Sequence, residues 1–210
     1  MIPKVVHQLW IGGPLPTHLQ PFVDSWPQLN PDWEHLLWDD EKAEDFITLT
    51  RDAWDRMGEY IAEDQVNQAR SDLFRIEVLF RLGGIYADAD FQALRPIDDV
   101  VEGVECFTAW EVDTTWANMA ISGSVPSHPF LERLLEDLPL HMEANRFAGP
   151  SSTWLTGPRF ITPRLGSDVV VYPSRSFYPY GWDQIGRKVD YGDAYAVHHW
   201  NNQRTRRGKW

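Results

Sequence analysis

The chain has 210 residues, of which 43% are hydrophobic and 24% charged, a balance that predicts one globular domain and argues against disorder. Its formal net charge of −12 argues against a nucleic-acid partner, because binding to a nucleic-acid backbone depends on Lys and Arg neutralising phosphates. The single cysteine, Cys106, excludes an intramolecular disulfide and a multi-cysteine metal site, and it is typical of a reducing compartment.

The sequence contains no signal for secretion or for a membrane span. No basic stretch followed by an apolar run stands at the start, and no apolar run approaches the ~20 residues that a spanning helix needs. We therefore expect no membrane span and a cytoplasmic location.

The first 82 residues alternate between predicted strands and helices. The apolar patterns predict a strand over residues 2–10, a helix over 19–28, a strand over 34–40, and helices over 41–56 and 59–82. This order is typical of an open α/β sheet, in which ligands bind beyond the carboxyl ends of the strands. The ends of the first two strands supply candidates for a nucleotide site: Trp10, Trp38, Asp39 and Asp40.

These candidates also have purely structural interpretations. Trp10 could stack on a base, or it could be a core residue beneath the loop that follows. Asp39 and Asp40 could contact a nucleotide, or one of them could cap the next helix, since a carboxylate accepts hydrogen bonds from the free N–H groups at a helix start. The sequence leaves both interpretations open.

The central stretch 69–91, ARSDLFRIEVLFRLGGIYADADF, predicts a helix, a glycine stop and a strand that carries two acids. Apolar residues at steps of three and four give the helix one buried face. Gly83 and Gly84 end it, because glycine accepts the left-handed backbone that closes a helix. In the strand that follows, alternation puts Tyr86, Asp88 and Asp90 on one face.

Two carboxylates on one face repel each other unless a cation or a proton lies between them. Hard oxygen ligands with open positions suit Mg²⁺ or Mn²⁺ carrying a phosphate, so Asp88 and Asp90 are candidate metal ligands. Asp-x-Asp alone is a weak signal, and a solvated strand end is the alternative. On the preceding helix, Asp72 and Arg75 share a face, where they could bind sugar hydroxyls or form a surface ion pair.

The second half of the chain predicts strands with fewer helices between them. We expect strands over 104–112 and 116–125, a helix over 127–145 capped by Ser127, a short turn or helix in 151–162, and a strand from 169. Residues 194–200 predict a short strand that ends in His198 and His199, either of which could be a third metal ligand. The alternative is one packed and one solvated histidine. Residues from about 203 to 210 form a basic tail.

Together these stretches resemble glycosyltransferase family 32, the Asp-x-Asp sugar transferases typified by yeast initiating mannosyltransferases. The resemblance spans nearly the whole chain, and it is carried by IPKVVHQLW, LLWDD, the central stretch, NMAISGSVPSHP, LTGP and HHW. The central stretch is also similar to the catalytic core of the large clostridial glucosylating toxins. The resemblance implies a GT-A fold, a Rossmann-like α/β arrangement with a mixed, mainly parallel sheet flanked by helices, in a single glycosyltransferase domain over residues 1–210.

The resemblance further implies a reaction, a retaining transfer of a hexose from a UDP-sugar, or a GDP-sugar such as GDP-mannose, to an acceptor hydroxyl with Mn²⁺ or Mg²⁺. The acceptor could be a glycan, a protein or a small molecule. By motif position, His199 is the preferred third metal ligand beside Asp88 and Asp90, and His198 is the fallback. The implied catalytic residues are Asp72, Arg75, Asp88 and Asp90, and the implied donor-binding residues are Trp10, Asp39, Asp72, Arg75, Tyr86 and Trp200, with Trp10 at the base and Trp200 at the diphosphate.

Two other functions stay open at this point. A phosphatase of the haloacid-dehalogenase type also places Asp-x-Asp after a hydrophobic strand, although it expects a Thr soon after the second acid, where this chain has Phe91 and Gln92. A non-catalytic carbohydrate-binding protein would account for the 11 tryptophans, since exposed Trp faces are common platforms for sugar rings.

Overall fold

A six-stranded sheet forms the centre of the fold. In the computed structural model, which describes residues 1–149 and 151–201, the strands are β1 Val5–Leu9, β2 Glu34–Trp38, β3 Gly84–Ala87, β4 Phe91–Ala93, β5 Cys106–Val112, β6 Trp116–Ser124, β7 Val170–Tyr172 and β8 Ala196–His198. The large sheet has the order β2-β1-β3-β6-β5-β7, and β4 pairs with β8. Within the large sheet only β6 runs against the other five strands. The predicted mixed, mainly parallel sheet is confirmed.

Helices pack on both faces of this sheet. They are α1 Gln20–Leu29, α2 Asp40–Phe46, α3 Arg51–Arg56, α4 Glu63–Leu82, α5 Asp98–Val101, α6 Pro129–Asn145, α7 Ser152–Leu155 and α8 Pro158–Ile161. Tyr86 of β3 lies in one core with Phe74 of α4 and Leu131 of α6. Its neighbour Ile85 points to the opposite core, which contains Trp26 of α1. Each such buried apolar side chain stabilises the fold by about 1.5–3 kcal/mol, so β3 is fixed from both sides.

The long helix and its glycine stop agree with the sequence prediction, with a small shift at the start. α4 begins at Glu63 rather than at residue 59, because Met57–Glu59 form a separate turn of 3₁₀ helix. Gly83 follows α4 with a φ of 69°, and Gly84 has a φ of 93°. Both are left-handed backbone conformations that glycine adopts at little cost.

The predicted single helix over residues 41–56 is wrong. The chain forms α2 and α3 instead, separated by residues 47–50. The backbone N–H groups of Thr48, Leu49 and Thr50 donate to the buried carboxylate of Glu77 at 2.8, 3.0 and 2.9 Å. Because these groups bond to a side chain of α4, they do not extend the hydrogen-bond ladder of α2.

The helix predicted over residues 127–145 is present, but Ser127 does not cap it. α6 begins at Pro129, and the N-cap is His128, whose Nδ1 accepts a hydrogen bond from the N–H of Phe130 at 3.2 Å. Ser127 has a φ of 56°, and its N–H donates to the carbonyl of Phe80 at 2.7 Å. This bond ties Ser127 to the last turns of α4 and removes it from the start of α6.

No helix among the described residues has both the length and the apolar character needed to cross a membrane. The cytoplasmic location stays a prediction, and so does the single domain over residues 1–210. The basic tail predicted from about residue 203 lies outside the described residues.

A buried histidine in β1 gives the first testable prediction, which concerns stability. The indole N–H of Trp38 donates to Nδ1 of His7 at 3.2 Å, so Nε2 carries the proton and donates to the carbonyl of Gly83 at 3.1 Å. Burial lowers the pKa of His7 from 6.5 to about 4. Between those two values the unfolded chain binds a proton that the folded chain does not bind, so stability falls as the pH falls through this window.

We therefore expect His7 to remove about 2 kcal/mol from the free energy of unfolding between about pH 7.5 and pH 5. Urea unfolding at both pH values measures this loss in the wild type and in His7→Gln, which has no group that titrates there. The pH-dependent loss should be smaller by that amount in His7→Gln. Equal losses in the two proteins would contradict the neutral, buried state of His7.

Candidate active site

A cleft with a cavity volume of about 490 Å³ lies at the carboxyl-terminal edge of the large sheet. Trp10 follows β1, Asp88 follows β3, and Glu111 stands near the end of β5, and all three line the cleft. Because β1, β3 and β5 run in the same direction, their carboxyl ends meet at one edge, where open α/β sheets bind ligands.

The two acids of the Asp-x-Asp motif line this cleft from a turn. β3 ends at Ala87, so the prediction of one strand through residues 85–91 is wrong. The N–H of Asp88 donates to the carbonyl of Ala120 at 2.9 Å, and the carbonyl of Asp88 accepts from the N–H of Phe91 at 2.8 Å. After this turn the chain leaves the large sheet and pairs as β4 with β8. The acids therefore share the cleft without sharing a strand face.

The last described residues of the chain surround the carboxylate of Asp90. Oδ1 accepts from Nε2 of His198 at 3.0 Å, and Oδ2 accepts from the backbone N–H of Asn201 at 2.6 Å. The carbonyl of Asp90 accepts from the N–H of His199 at 2.9 Å. Trp200, which lies between His199 and Asn201 in the sequence, has a φ of 57°, a left-handed conformation that is unusual for so large a residue. The backbone bends tightly here and brings residues 198–201 to Asp90.

The structure brings His198 to the two acids, and the preference for His199 needs correction. His198 pairs with Phe91 across the β4–β8 ladder, so its ring lies over Phe91 with a centroid distance of 4.6 Å and reaches Asp90. The next side chain along an extended chain points the other way. The ring of His199 accordingly stacks on Phe22 at 4.0 Å, and its Nε2 bonds with Oε1 of Gln92 at 2.9 Å.

Asp72 and Arg75 form a buried ion network with the first motif acid. The guanidinium of Arg75 lies 3.1 Å from Oδ1 of Asp72 and 2.8 Å from Oδ1 of Asp88. Thr156 donates its hydroxyl to Oδ2 of Asp72 at 2.7 Å, and Tyr86 donates its hydroxyl to Oδ1 of Asp88 at 3.0 Å. The side chains of Arg75 and Asp72 are only 6% and 9% exposed, so the surface ion pair considered for them is wrong.

Burial and close charges shift the pKa values of these groups. Burial raises the pKa of Asp72 to about 6, although Arg75 opposes the shift. Burial and the neighbouring carboxylate of Asp90 raise the pKa of Asp88, against the pull of Arg75. Burial also acts on Asp90, but the hydrogen bond and charge of His198 outweigh it and lower the pKa of that carboxyl. In His198, burial is outweighed by the two acids, and its pKa is raised. The cluster therefore holds concentrated negative charge that a cation would relieve.

The donor set fits a divalent cation. Asp88, Asp90 and His198 each offer a ligand atom, and these atoms lie within 4.8 Å of one another. Two carboxylates and an imidazole suit Mn²⁺ well, and Mg²⁺ accepts the same oxygen ligands. The Nδ1 atom of His198 is buried and has no hydrogen-bond partner among the described residues. The orientation of this ring is therefore set by Asp90 and by the Phe91 ring.

The remaining predicted donor-binding residues fall into two groups. Trp10 and Trp200 line the cleft, as Asp72 and Arg75 do. Tyr86 is fully buried; its hydroxyl holds the carboxylate of Asp88, and the centroid of its ring lies 5.0 Å from the guanidinium carbon of Arg75. Asp39 does not line the cleft: its carboxylate caps α2 by accepting from the N–H of Lys42 at 3.0 Å. The capping interpretation therefore describes Asp39.

Sequence reasoning missed several residues that line the cleft. They include Glu111, Trp116, Arg159 and Trp182. The carboxylate of Glu111 is held by the side-chain amide of Asn118 at 2.6 Å. Its place at the end of a strand parallel to β3 is a signal that could have identified it, since such ends converge with the Asp-x-Asp edge. Arg159 lies in the four-residue helix α8, and Trp182 begins the 3₁₀ turn Trp182–Gln184. Neither short element gives a comparable signal in the sequence.

Comparison with known proteins gives matches in sequence. The family described as a glycosyltransferase sugar-binding region containing a DXD motif matches residues 16–107. Inositol phosphoceramide mannosyltransferase 3 of Schizosaccharomyces pombe is 30% identical over 163 residues, which is 77% of this chain and 44% of that protein. The chain spans about two fifths of the length of the curated relatives that it matches.

Solved structures show the same fold at low sequence identity. The PaToxG glycosyltransferase superposes with a TM-score of 0.60 at 17% identity, covering 78% of this chain and 68% of the other. The UDP-bound glycosyltransferase domain of the YGT toxin gives 0.56 at 10% identity, covering 81% and 79%. The catalytic domain of alpha-toxin from Clostridium novyi gives 0.50 at 10% identity, covering 78% and 72%. The GT-A fold and the likeness to toxin glycosyltransferase domains are confirmed.

Proposed function

We propose that this chain transfers a hexose from a nucleotide-sugar donor to an acceptor hydroxyl with the help of a divalent cation, because residues 16–107 match the family described as a glycosyltransferase sugar-binding region containing a DXD motif. One observation carries the proposal: the two motif acids and His198 converge in a single cleft at the carboxyl-terminal edge of the sheet. The family match favours this function over a phosphatase and over a non-catalytic sugar-binding protein.

The order of residues along the cleft supports a position for each part of the donor. Trp10 would stack on the base, and the cation held by Asp88, Asp90 and His198 would bind the diphosphate. Asp72 and Arg75 lie beside Asp88 and would bind hydroxyls of the transferred sugar. Trp200 borders the same site and would contact the diphosphate.

The site would promote transfer mainly by electrostatic stabilisation of the leaving diphosphate. The cation would supply positive charge where the leaving diphosphate becomes more negative, which is worth several kcal/mol in such reactions. The protein residues hold the geometry in place before the reaction: Arg75 fixes Asp72 and Asp88, and the Asn201 N–H fixes Asp90. We propose that the configuration of the sugar is retained through front-face attack by the acceptor hydroxyl.

The donor is proposed to be a UDP-hexose, with GDP-mannose as the alternative. The UDP-bound toxin domain supports the first, since its fold is the same. The curated relative is named a mannosyltransferase, which supports a mannose donor. A panel of UDP- and GDP-hexoses with Mn²⁺, read by thermal stabilisation of the protein, identifies the donor. Stabilisation by one sugar nucleotide, and not by the same sugar on the other nucleoside diphosphate, supports the proposal. No stabilisation by any of these compounds contradicts it.

The metal ligands give a second prediction, in which adjacent histidines serve as matched variants. His198→Gln should weaken Mn²⁺ binding by roughly tenfold or more, since even the outer partners of metal ligands cost that much when removed. His199→Gln should leave the Mn²⁺ dissociation constant within about threefold, because its ring bonds with Gln92. Calorimetric titration of Mn²⁺ measures both. If His199→Gln weakened Mn²⁺ binding more than His198→Gln did, His199 would be the better candidate for the metal ligand.

A further inference from the structure

Arg159 lines the cleft and lies between two tryptophans. Its guanidinium carbon is 4.5 Å from the ring centroid of Trp116 and 4.6 Å from that of Trp154. Guanidinium groups are attracted to indole faces, and stacking uses the flat faces of the group. The N–H donors around its edge stay available for another partner.

The charge environment distinguishes Arg159 from the other arginine of the cleft. Arg75 is paired with two carboxylates, Asp72 and Asp88. Arg159 lines the same cleft and is paired with no carboxylate of residues 1–149 and 151–201. Its positive charge and its fork of N–H donors are therefore offered to the cleft. A guanidinium in this state matches a phosphate or a carboxylate, which it can bind with two parallel hydrogen bonds.

The position along the sheet separates Arg159 from the donor residues. In the strand order, β1 with Trp10 is followed by β3 with the Asp-x-Asp acids, and then by β6, which begins at Trp116. Trp116 therefore stands two strands away from the strand that Trp10 follows, on the far side of the acids. Arg159 packs against Trp116, and the two residues form the wall on that side. A donor with its base at Trp10 and its diphosphate at the acids leaves this wall to the acceptor.

We propose that Arg159, held between Trp116 and Trp154, binds an anionic group of the acceptor, a phosphate or a carboxylate, and so selects acceptors that carry one next to the hydroxyl that receives the sugar. This inference rests on the proposed function, in which an acceptor receives the sugar. Because the chain has a net charge of −12, an anionic acceptor is repelled by the protein as a whole and needs a local cation to hold it.

The test measures binding of matched charged and neutral sugars by calorimetry. The phosphate pair is methyl mannoside 6-phosphate and methyl mannoside, and the carboxylate pair is methyl glucuronide and methyl glucoside. Each is titrated into the protein alone and into the protein with UDP and Mn²⁺. The wild type should bind at least one charged sugar roughly tenfold or more tighter than its neutral partner. The pair that shows the difference identifies the anionic group.

Arg159→Gln should remove this preference and leave the dissociation constant of UDP within about twofold, whereas Arg159→Lys should keep part of it, since lysine keeps the charge and loses the planar fork. Arg133→Gln, a surface arginine paired with Asp168, is the matched control and should behave as the wild type. Unchanged preference in Arg159→Gln, no preference in the wild type, or weakened UDP binding in place of weakened sugar binding would overturn the inference. Failure of the proposed function would give a different result, because the wild type would then not bind UDP. The sugar pairs titrated into the protein alone would still decide the role of Arg159.

Discussion

Replacing Asp90 with Asn is expected to lower the rate of sugar transfer by roughly a thousandfold or more, without unfolding the protein. The Asp90 carboxylate lies between Nε2 of His198 and the N–H of Asn201, and it offers the charge that the cation would need. Asparagine has the same shape but no charge, and its amide N–H₂ would face one of these two donors. Release of nucleoside diphosphate with Mn²⁺ measures the rate, and circular dichroism with thermal melting checks the fold.

Asp39→Asn is the matched control for this variant. It makes the same chemical change at a residue that the sequence implied as donor-binding and that the structure places at the N-terminus of α2. Asparagine caps helices about as well as aspartate, so we expect transfer within about twofold of the wild type. A large loss in Asp39→Asn would return this residue to the donor site. Mn²⁺-dependent transfer retained by Asp90→Asn would remove the assigned role of Asp90.

Replacing Glu77 with Ala is expected to lower the free energy of unfolding by about 3–5 kcal/mol, because it leaves buried donors without an acceptor. The fully buried carboxylate accepts from three backbone N–H groups of residues 48–50, from the hydroxyls of Thr48 and Thr50, and from Arg81. Burial alone would raise the pKa of Glu77, but these N–H donors outweigh it and lower the pKa. Urea unfolding measures the loss.

Glu77→Gln should cost less than Glu77→Ala, since the amide keeps one of the two acceptor oxygens. Glu136→Ala, an exposed position on α6, is the control and should change stability by no more than about 0.5 kcal/mol. A loss below about 1 kcal/mol in Glu77→Ala would show that the Glu77 contacts do not hold the segment between α2 and α3.

Local patterns were sufficient to predict the elements whose stability is mainly local. The helix α4, the glycine pair that ends it and the two strands β1 and β2 at the start of the chain all follow from apolar spacing and backbone preference. The break at residues 47–50 was not predictable in this way. It depends on Glu77, which lies 27 to 29 residues further along the chain and offers a buried acceptor there.

In the candidate site, too, local patterns predicted some features, while others depend on contacts between distant parts of the chain. The motif pointed to Asp88 and Asp90, which both line the cleft, while alternation assigned them to the wrong element, because a turn also brings two acids separated by one residue to the same cleft. The choice between His198 and His199 depends on the register between β4 and β8, which no local pattern contains. Arg159 and its two tryptophans were missed for a related reason, since Trp116 and Trp154 come together only through the packing of β6 and the segment around α7 and α8.

If this cleft uses a divalent cation to transfer a hexose from a nucleotide sugar, the release of nucleoside diphosphate must depend on that cation. Release from the best-bound sugar nucleotide can be measured with Mn²⁺, after addition of EDTA, and after Mn²⁺ is restored. We expect release with Mn²⁺, loss of at least about 99% of the rate in EDTA, and recovery when Mn²⁺ returns. Release that continues unchanged in EDTA, or no release from any sugar nucleotide with Mn²⁺, would contradict this expectation.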